Sequence, residues 1–299
     1  MPSSNPAQND KILTRETQAS RGSGAFSPGW GAPADEVPPN LFGSPAPTGF
    51  PPAGAAPTDP YVGSNDTMRV SGSLSAASIL LAILVVAGWF GYQAVKVVTG
   101  ESLNGDTIVR STTVPPWLMA SWIVGFGIAI LTIFRPKLAR ITGPLYSVAE
   151  GLLVGAISHL YEVQYKGIVL QAVGLTIGVF VMMLVLYATK TIRVTDKLRS
   201  GIFAATGAIM LVYLATIVLR LFGSDVPMIH EAGPIGIGFS LLVVGIASFN
   251  LLLDFDFIDR GVRMGAPRYM EWYAGFSLMV TLVWLYLELL RLLSKLRSR

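Results

Sequence analysis

Seven long apolar segments dominate the chain between residues 74 and 293, and they limit what it can fold into. Each has about the 20 residues that a helix needs to cross the hydrocarbon core of a bilayer. Only helices and closed barrels satisfy the backbone in lipid, and the period-two alternation typical of a barrel is absent. The sequence therefore predicts an all-α membrane protein, a seven-transmembrane helix bundle. The predicted spans are Leu74–Val98, Pro116–Phe134, Pro144–Tyr161, Gly167–Thr189, Gly201–Phe222, Gly233–Ile258 and Glu271–Leu293.

Composition agrees with a membrane location and excludes several kinds of site. Of the 299 residues, 52% are hydrophobic and 13% are charged, whereas a soluble domain carries about a quarter charged residues. Cysteine is absent, which excludes disulfides and thiolate metal sites. Because only His159 and His230 are present, a multi-histidine catalytic metal centre is not expected. The net charge of +4 does not indicate nucleic-acid binding, since basic loops are usual in membrane proteins.

Residues 1–73 differ in amino-acid composition from the rest of the chain. They hold twelve of the nineteen prolines, with Gly, Ala and Ser between them. Such a segment buries too little apolar surface to offset its ordering entropy, so we predict a disordered Pro/Gly/Ala-rich tail. It lacks the apolar h-region of a signal peptide. A spacer is the simplest role for it, and a short docking motif is the alternative. The aromatic residues that favour a motif are Phe26, Trp30, Phe42 and Phe50.

Alternate loops are basic, and this pattern predicts the orientation of the bundle. Lys and Arg are enriched in cytoplasmic loops, so the three basic loops and the N-terminus are expected in the cytoplasm. Seven spans then place the C-terminus outside, yet four basic residues lie between positions 291 and 299. A last segment that does not fully cross the membrane is therefore the alternative. The basic loops contain Arg135, Lys137 and Arg140; Lys190, Arg193, Lys197 and Arg199; and Arg260, Arg263 and Arg268.

Two pairs of glycines at GxxxG spacing indicate close helix packing. Gly151 and Gly155 form one pair in the third span, and Gly174 and Gly178 form the other in the fourth. Such pairs let two helix backbones approach and associate by van der Waals contact. We interpret both pairs as packing features rather than as parts of a gate.

Carboxylates at similar depth in the third and sixth spans are the candidate functional residues. Asp254 and Asp256 lie in the last turns of the sixth span, and Glu150 lies about as far inside the third. Placing an acidic side chain within a membrane costs free energy, so such residues usually have a function. Two that meet in low dielectric tend to share a proton, and when ionised they offer the hard oxygen ligands that Ca²⁺ prefers. The alternative is that an acid extends to the membrane surface or pairs with Arg260 or Arg140, which we favour for Asp256 and Asp259.

The last span carries a polar stripe at helical spacing. Glu288 lies within it, and Arg291 three residues on is a natural ion-pair partner. The stripe comprises Ala274, Ser277, Thr281, Trp284, Glu288 and Arg291.

Three blocks of sequence resemble the Bax inhibitor family, also called the YccA or transmembrane Bax-inhibitor-motif family. They are GPLYSVAEGLLVGAISHLYE, GFSLLVVGIASFNLLLDFDFIDRG and LVWLYLELLRLLSKL. The likeness runs from about Ser75 to Arg299, and the proline-rich tail is similar to that of a bacterial branch. The resemblance implies a central last helix and a pH-sensitive calcium leak governed by an aspartate pair from the last two helices.

The resemblance implies that Asp254 corresponds to the aspartate that the family carries in its sixth helix. The sequence Tyr-Leu-Glu-Leu, which contains Glu288, takes the place of the family's YLDF motif. However, these two acids are about ten residues further apart here than in the family. In a hairpin that turns near Gly265, Asp254 should instead face Phe276–Ser277, which leaves Glu150 as the substitute partner. We therefore keep both Glu288 and Glu150 as candidate ion- or proton-sensing residues beside Asp254 and Asp256, with Asp254 and Glu150 as candidate metal ligands.

Two functions of different class follow from these features. The first is a pH-sensitive cation leak channel in the plasma membrane of a bacterium, with calcium as the expected ion. The second is a regulator that binds a membrane protease or another membrane complex, for which the tail is suited. No tightly bound cofactor is expected, and Ca²⁺ would be only the permeant ion. The chain lacks the Walker, HExxH and GxSxG motifs in a suitable context, so we do not expect an enzyme.

Overall fold

Seven helices account for most of the structure. The computed structural model describes residues 67–101, 107–222 and 233–298. In these ranges lie seven helices long and apolar enough to cross a membrane, which confirms the predicted fold. The protein is therefore a multi-pass membrane protein in contact with the lipid bilayer. The helices are α1 (Val70–Ala94), α2 (Pro116–Phe134), α3 (Ala139–Gln164), α4 (Ile168–Ala188), α5 (Asp196–Leu221), α6 (Pro234–Arg263) and α7 (Met270–Arg297), with a 3-10 turn (Pro136–Leu138) before α3.

A β-hairpin that the sequence analysis missed follows the first helix. Strand β1 (Lys96–Glu101) pairs with β2 (Thr107–Thr113) in an antiparallel register, with an irregularity between Val98 and Thr99. The two strands are rich in Val, Ile and Thr, which favour extended backbone. The first span therefore ends at Ala94, four residues before its predicted end.

The tail joins the bundle at the loop between α6 and α7. The Met68 backbone N–H donates to the Ala266 carbonyl at 2.7 Å, and Thr67 forms a bridge with Pro267. The Met68 side chain is 2% exposed and packs in a cluster with Phe257 and Tyr273. Most of the predicted disordered tail, residues 1–66, lies outside the described residues. Helix α1 begins at Val70, four residues before the predicted start of the first span at Leu74.

The last helix crosses the bundle from one end to the other. It has 28 residues, which gives a length of about 42 Å at 1.5 Å per residue. Near its C-terminus, the Arg297 guanidinium donates to the Lys166 carbonyl at 2.7 Å and to the Gln171 side chain at 3.0 Å. We call the end that carries the loops after α2, α4 and α6 the basic end, and the end that carries Lys166 the far end. The structure thus favours a complete seventh span over a partial one.

Helix α7 occupies the centre of the bundle, as the resemblance implied. It packs against α1, α3, α4 and α6, and it is the most buried of the seven spans. Helices α2, α4 and α5 are the least buried and expose many large apolar side chains. In a bilayer these exposed faces meet lipid, so α7 is the helix best shielded from it.

The two predicted glycine pairs have different surroundings. A Cβ atom added at Gly155 would overlap the backbone of Gly88 on α1, and one at Gly151 would meet the Leu84 carbonyl. This confirms close packing of α1 on α3. By contrast, a Cβ at Gly174 or Gly178 meets no atom within 4 Å among the described residues. The packing role predicted for the α4 pair is therefore wrong, since no described neighbour approaches it.

We expect Gly155→Ala to destabilise the protein and Gly174→Ala to leave its stability unchanged or slightly higher. The added methyl at Gly155 has only rigid backbone to displace, and overpacking of this kind costs about 1–3 kcal/mol. At Gly174 the same methyl enters open space and improves the helix propensity. Thermal unfolding of both variants in one detergent measures the difference. Equal melting temperatures would contradict the packing of α1 on α3.

Candidate functional site

Asp254 is buried between the last two helices. Its side chain lies on α6 and the residue is 1% exposed. The Ser277 hydroxyl of α7 donates to Asp254 Oδ1 at 2.7 Å. Gly265 turns the chain between the two helices with a φ of +64°, which few residues other than glycine adopt readily. The hairpin geometry predicted from the sequence, with Asp254 facing Phe276–Ser277, is confirmed.

A second polar contact lies one turn away on α6. The Asn250 amide nitrogen donates to the Thr206 hydroxyl of α5 at 2.9 Å and to the Ile246 carbonyl at 2.9 Å. Asn250 is 4% exposed, so this contact is also inside the bundle. Asp254 and Asn250 are four residues apart and therefore share a face of α6. The polar face of α6 is thus bonded to α7 through Asp254 and to α5 through Asn250.

Glu288 belongs to a separate polar cluster further along α7. The residue is 2% exposed. Its Oε2 accepts hydrogen bonds from the Tyr213 hydroxyl of α5 at 2.9 Å and from the Arg291 guanidinium at 3.1 Å. The same guanidinium donates to the Tyr213 oxygen at 2.6 Å and lies 5.0 Å from the centre of the Tyr213 ring. The predicted ion pair between Glu288 and Arg291 is confirmed, with Tyr213 as an additional partner.

The structure keeps Asp254 and Glu288 apart. Asp254 contacts Ser277, and Glu288 follows Ser277 by eleven residues on one continuous helix. At 1.5 Å per residue these two α7 positions are separated by about 16 Å along the axis. The side chains cannot close such a gap, so the pair that the resemblance implied is not formed.

Glu150 also contacts a partner of its own. It accepts a hydrogen bond from Tyr146, one turn earlier on α3. Helices α3 and α6, which carry Glu150 and Asp254, both pack against α7. Nor do the described residues contain a group of three or more His, Asp or Glu that could hold a metal ion. Because Ca²⁺ takes six to eight oxygen ligands, Asp254 and Glu150 do not by themselves make a resident calcium site.

Asp256 serves at the basic end as an ion-pair partner. Its Oδ2 lies 2.8 Å from the Arg199 guanidinium of α5 and 3.0 Å from the Arg260 guanidinium of α6. The predicted pairing with Arg260 is confirmed, and Arg199 is a further partner that the sequence did not indicate. Asp259 pairs with Arg263 at 2.7 Å and accepts a hydrogen bond from Tyr187 at 3.2 Å. The two acids that follow Asp254 thus bind cationic side chains near the loops.

Lys295 is a buried polar residue that the sequence analysis used only as a topology signal. It is 5% exposed, and its ammonium donates to the Gly236 carbonyl and the Ser240 hydroxyl of α6, each at 3.0 Å. Lys295 lies four residues after Arg291, which extends the polar stripe by one turn, and this spacing was the available signal. Tyr213 carried no such signal, because its role depends on contact between α5 and α7.

A model of the family described as Bax inhibitor 1 like matches residues 5–298. The match extends into the proline-rich tail, further than the resemblance in the membrane segments indicated. No curated protein matches the chain, and no solved structure matches it.

We expect Ser277→Ala to lower stability more than Ser248→Ala. Removal of the Ser277 hydroxyl takes one hydrogen bond from a buried carboxyl, which costs about 1–3 kcal/mol. Ser248 is similarly buried, but its hydroxyl donates only to the Val244 carbonyl of its own helix. Thermal or denaturant unfolding in detergent compares the variants. A Ser277→Ala protein as stable as Ser248→Ala would argue against the contact with Asp254.

Proposed function

The chain belongs to the Bax inhibitor 1 like family, and from this premise we propose that it is a pH-sensitive cation leak channel. Calcium is the cation we propose, and Asp254 is the residue that senses protons and attracts the ion. The observation that carries the proposal is the burial of this carboxyl group, 1% exposed, within a membrane-spanning helix. Acids in such a position are rare and mark ion or proton pathways.

The chemistry of one buried carboxyl supports a pH-dependent conductor. With its proton on, the Asp254 side chain is neutral and offers a passing cation little attraction. Without the proton it presents a negative charge and hard oxygen ligands, which suit Ca²⁺. Ser277 donates to the carboxyl and orients it toward the junction of α6 and α7. We therefore propose that the deprotonated form is the conducting one.

The proposed location is the plasma membrane of a bacterium, with the N-terminus and the basic end in the cytoplasm. The basis is the enrichment of Lys and Arg in cytoplasmic loops. At that end, Arg199 pairs with Asp256 and Arg263 pairs with Asp259. In this orientation Asp254 lies in the cytoplasmic half of the membrane.

Calcium flux in liposomes, measured across a range of pH, tests the role of Asp254. We expect flux to rise with pH in the wild type, and to be low and independent of pH in Asp254→Asn, because an amide neither ionises nor supplies a carboxylate ligand. Asp259→Asn is the matched control. It makes the same change on the same helix, at a side chain that is 36% exposed, and should behave as the wild type.

Two results would overturn the proposal. One is a wild-type protein that conducts no calcium at any pH. The other is a pH profile that Asp254→Asn and Asp259→Asn change equally, since the response would then not depend on the buried acid.

The tail offers a second candidate function, regulation of a membrane protease or another membrane complex. The observation that favours it is the attachment of Thr67 and Met68 to the loop between α6 and α7. A partner that binds next to Thr67 and Met68 would act beside the hairpin that holds Asp254.

Deletion of residues 1–66 distinguishes the two functions. This cut keeps Thr67 and Met68, so the contacts of the tail with the bundle stay intact. A channel should retain its flux and its pH dependence in the liposome assay after this deletion. A regulator that needs its tail would instead lose capture of its partner from membranes, and a deletion that abolishes flux would contradict the simple channel.

A further inference from the structure

The ammonium group of Lys295 is held inside the bundle near its far end. Lysines near the end of a membrane helix usually extend their side chains toward water. Lys295 does not, since it is 5% exposed and donates to Gly236 and Ser240 on α6. These two acceptors lie in the first two turns of α6, where the positive end of the helix dipole adds to the local positive potential. The contact therefore fixes a cation where α6 and α7 meet.

Polar contacts between α5, α6 and α7 continue from Asp254 to this lysine. They are Ser277 with Asp254, Thr206 with Asn250, Tyr213 with Glu288, and Ser240 with Lys295. On α7 the first and last of these positions are eighteen residues apart, which is about 27 Å. This is close to the thickness of the hydrocarbon core, roughly 30 Å. The contacts thus form a line of polar side chains along the junction of α7 with α5 and α6.

Positive charge prevails at the far end of this line. Lys295 and Arg291 are two basic residues, and Glu288 is a carboxylate that interacts with both of them. One Glu288 oxygen, Oε2, holds the Arg291 guanidinium and the Tyr213 hydroxyl, while Oε1 is buried without a hydrogen-bond partner among the described residues. A cation that moves along the line meets Asp254 near the basic end and the Lys295 ammonium near the far end. The first attracts it and the second repels it.

We propose that Lys295 is the residue that limits cation passage through this protein. Its fixed charge, held by Gly236 and Ser240, closes the junction of α6 and α7 to cations at the far end. The inference rests on the proposed channel function and deepens it, because it separates the residue that attracts the ion from the one that sets the rate. A purely structural tie between α6 and α7 is the competing explanation.

Flux of Ca²⁺ in liposomes that contain the full chain tests the proposal with three substitutions. Lys295→Gln removes the charge and keeps an amide donor, so flux should rise several-fold. Lys295→Arg keeps the charge, so flux should stay at the wild-type level. Arg297→Gln is the matched control, because it removes the same charge two residues later from an exposed side chain bonded to Lys166 and Gln171. It should leave the flux unchanged.

Ser240→Ala is a milder variant that protects the test against misfolding of Lys295→Gln. It removes the Ser240 hydroxyl that accepts from the ammonium and keeps the Gly236 carbonyl, and the less restrained lysine should give a smaller rise in flux. Melting temperatures measured alongside show whether each protein is folded. Equal flux in the wild type, Lys295→Gln and Ser240→Ala would overturn the inference, as would equal effects of Lys295→Gln and Arg297→Gln. A wild type that does not conduct at all contradicts the channel itself instead.

Discussion

The need to satisfy polar groups without water governs the interior of this protein. In lipid, an unpaired polar group costs several kcal/mol, so the protein must supply the partners itself. The side chains of α7 meet this requirement through contacts with neighbouring helices: Ser277 with Asp254, Glu288 with Tyr213, and Lys295 with Ser240. Each contact joins α7 to α5 or α6. The position of α7 at the centre follows from this constraint, because it carries the polar groups least suited to face lipid.

Close packing on the other side of the bundle complements these polar contacts. Gly151 and Gly155 of α3 let α1 approach so closely that its backbone lies against them. Van der Waals contact between small residues is a main source of helix association in membranes. Helices α1 and α3 both pack against α7 as well. Thus α7 lies between the closely packed pair α1 and α3 and the polar set formed with α5 and α6.

The sequence predicts those features that depend on one segment or one turn. All seven spans were predictable because hydropathy is a local property, and the contact of Asp254 with Ser277 followed from counting residues on either side of Gly265. Contacts between distant helices were not predictable. The partners Tyr213 of Glu288 and Arg199 of Asp256 depend on how α5 is placed beside its neighbours. Gly174 and Gly178 were misjudged for the same reason, since GxxxG spacing does not tell which glycine face meets a helix and which meets lipid.

The separation of the acids changes how a pH response could arise. Two carboxyls about 4 Å apart interact strongly and share a proton, but the interaction falls with distance. Asp254 contacts Ser277, which lies about 16 Å along α7 from Glu288. Glu288 is in addition bonded to Arg291. In the proposed channel the Asp254 carboxyl is therefore not paired with Glu288, and the Ser277 hydroxyl donates to it. Proton sensing then needs no second carboxylate, because loss of one proton alone changes the charge that a cation meets at the junction of α6 and α7.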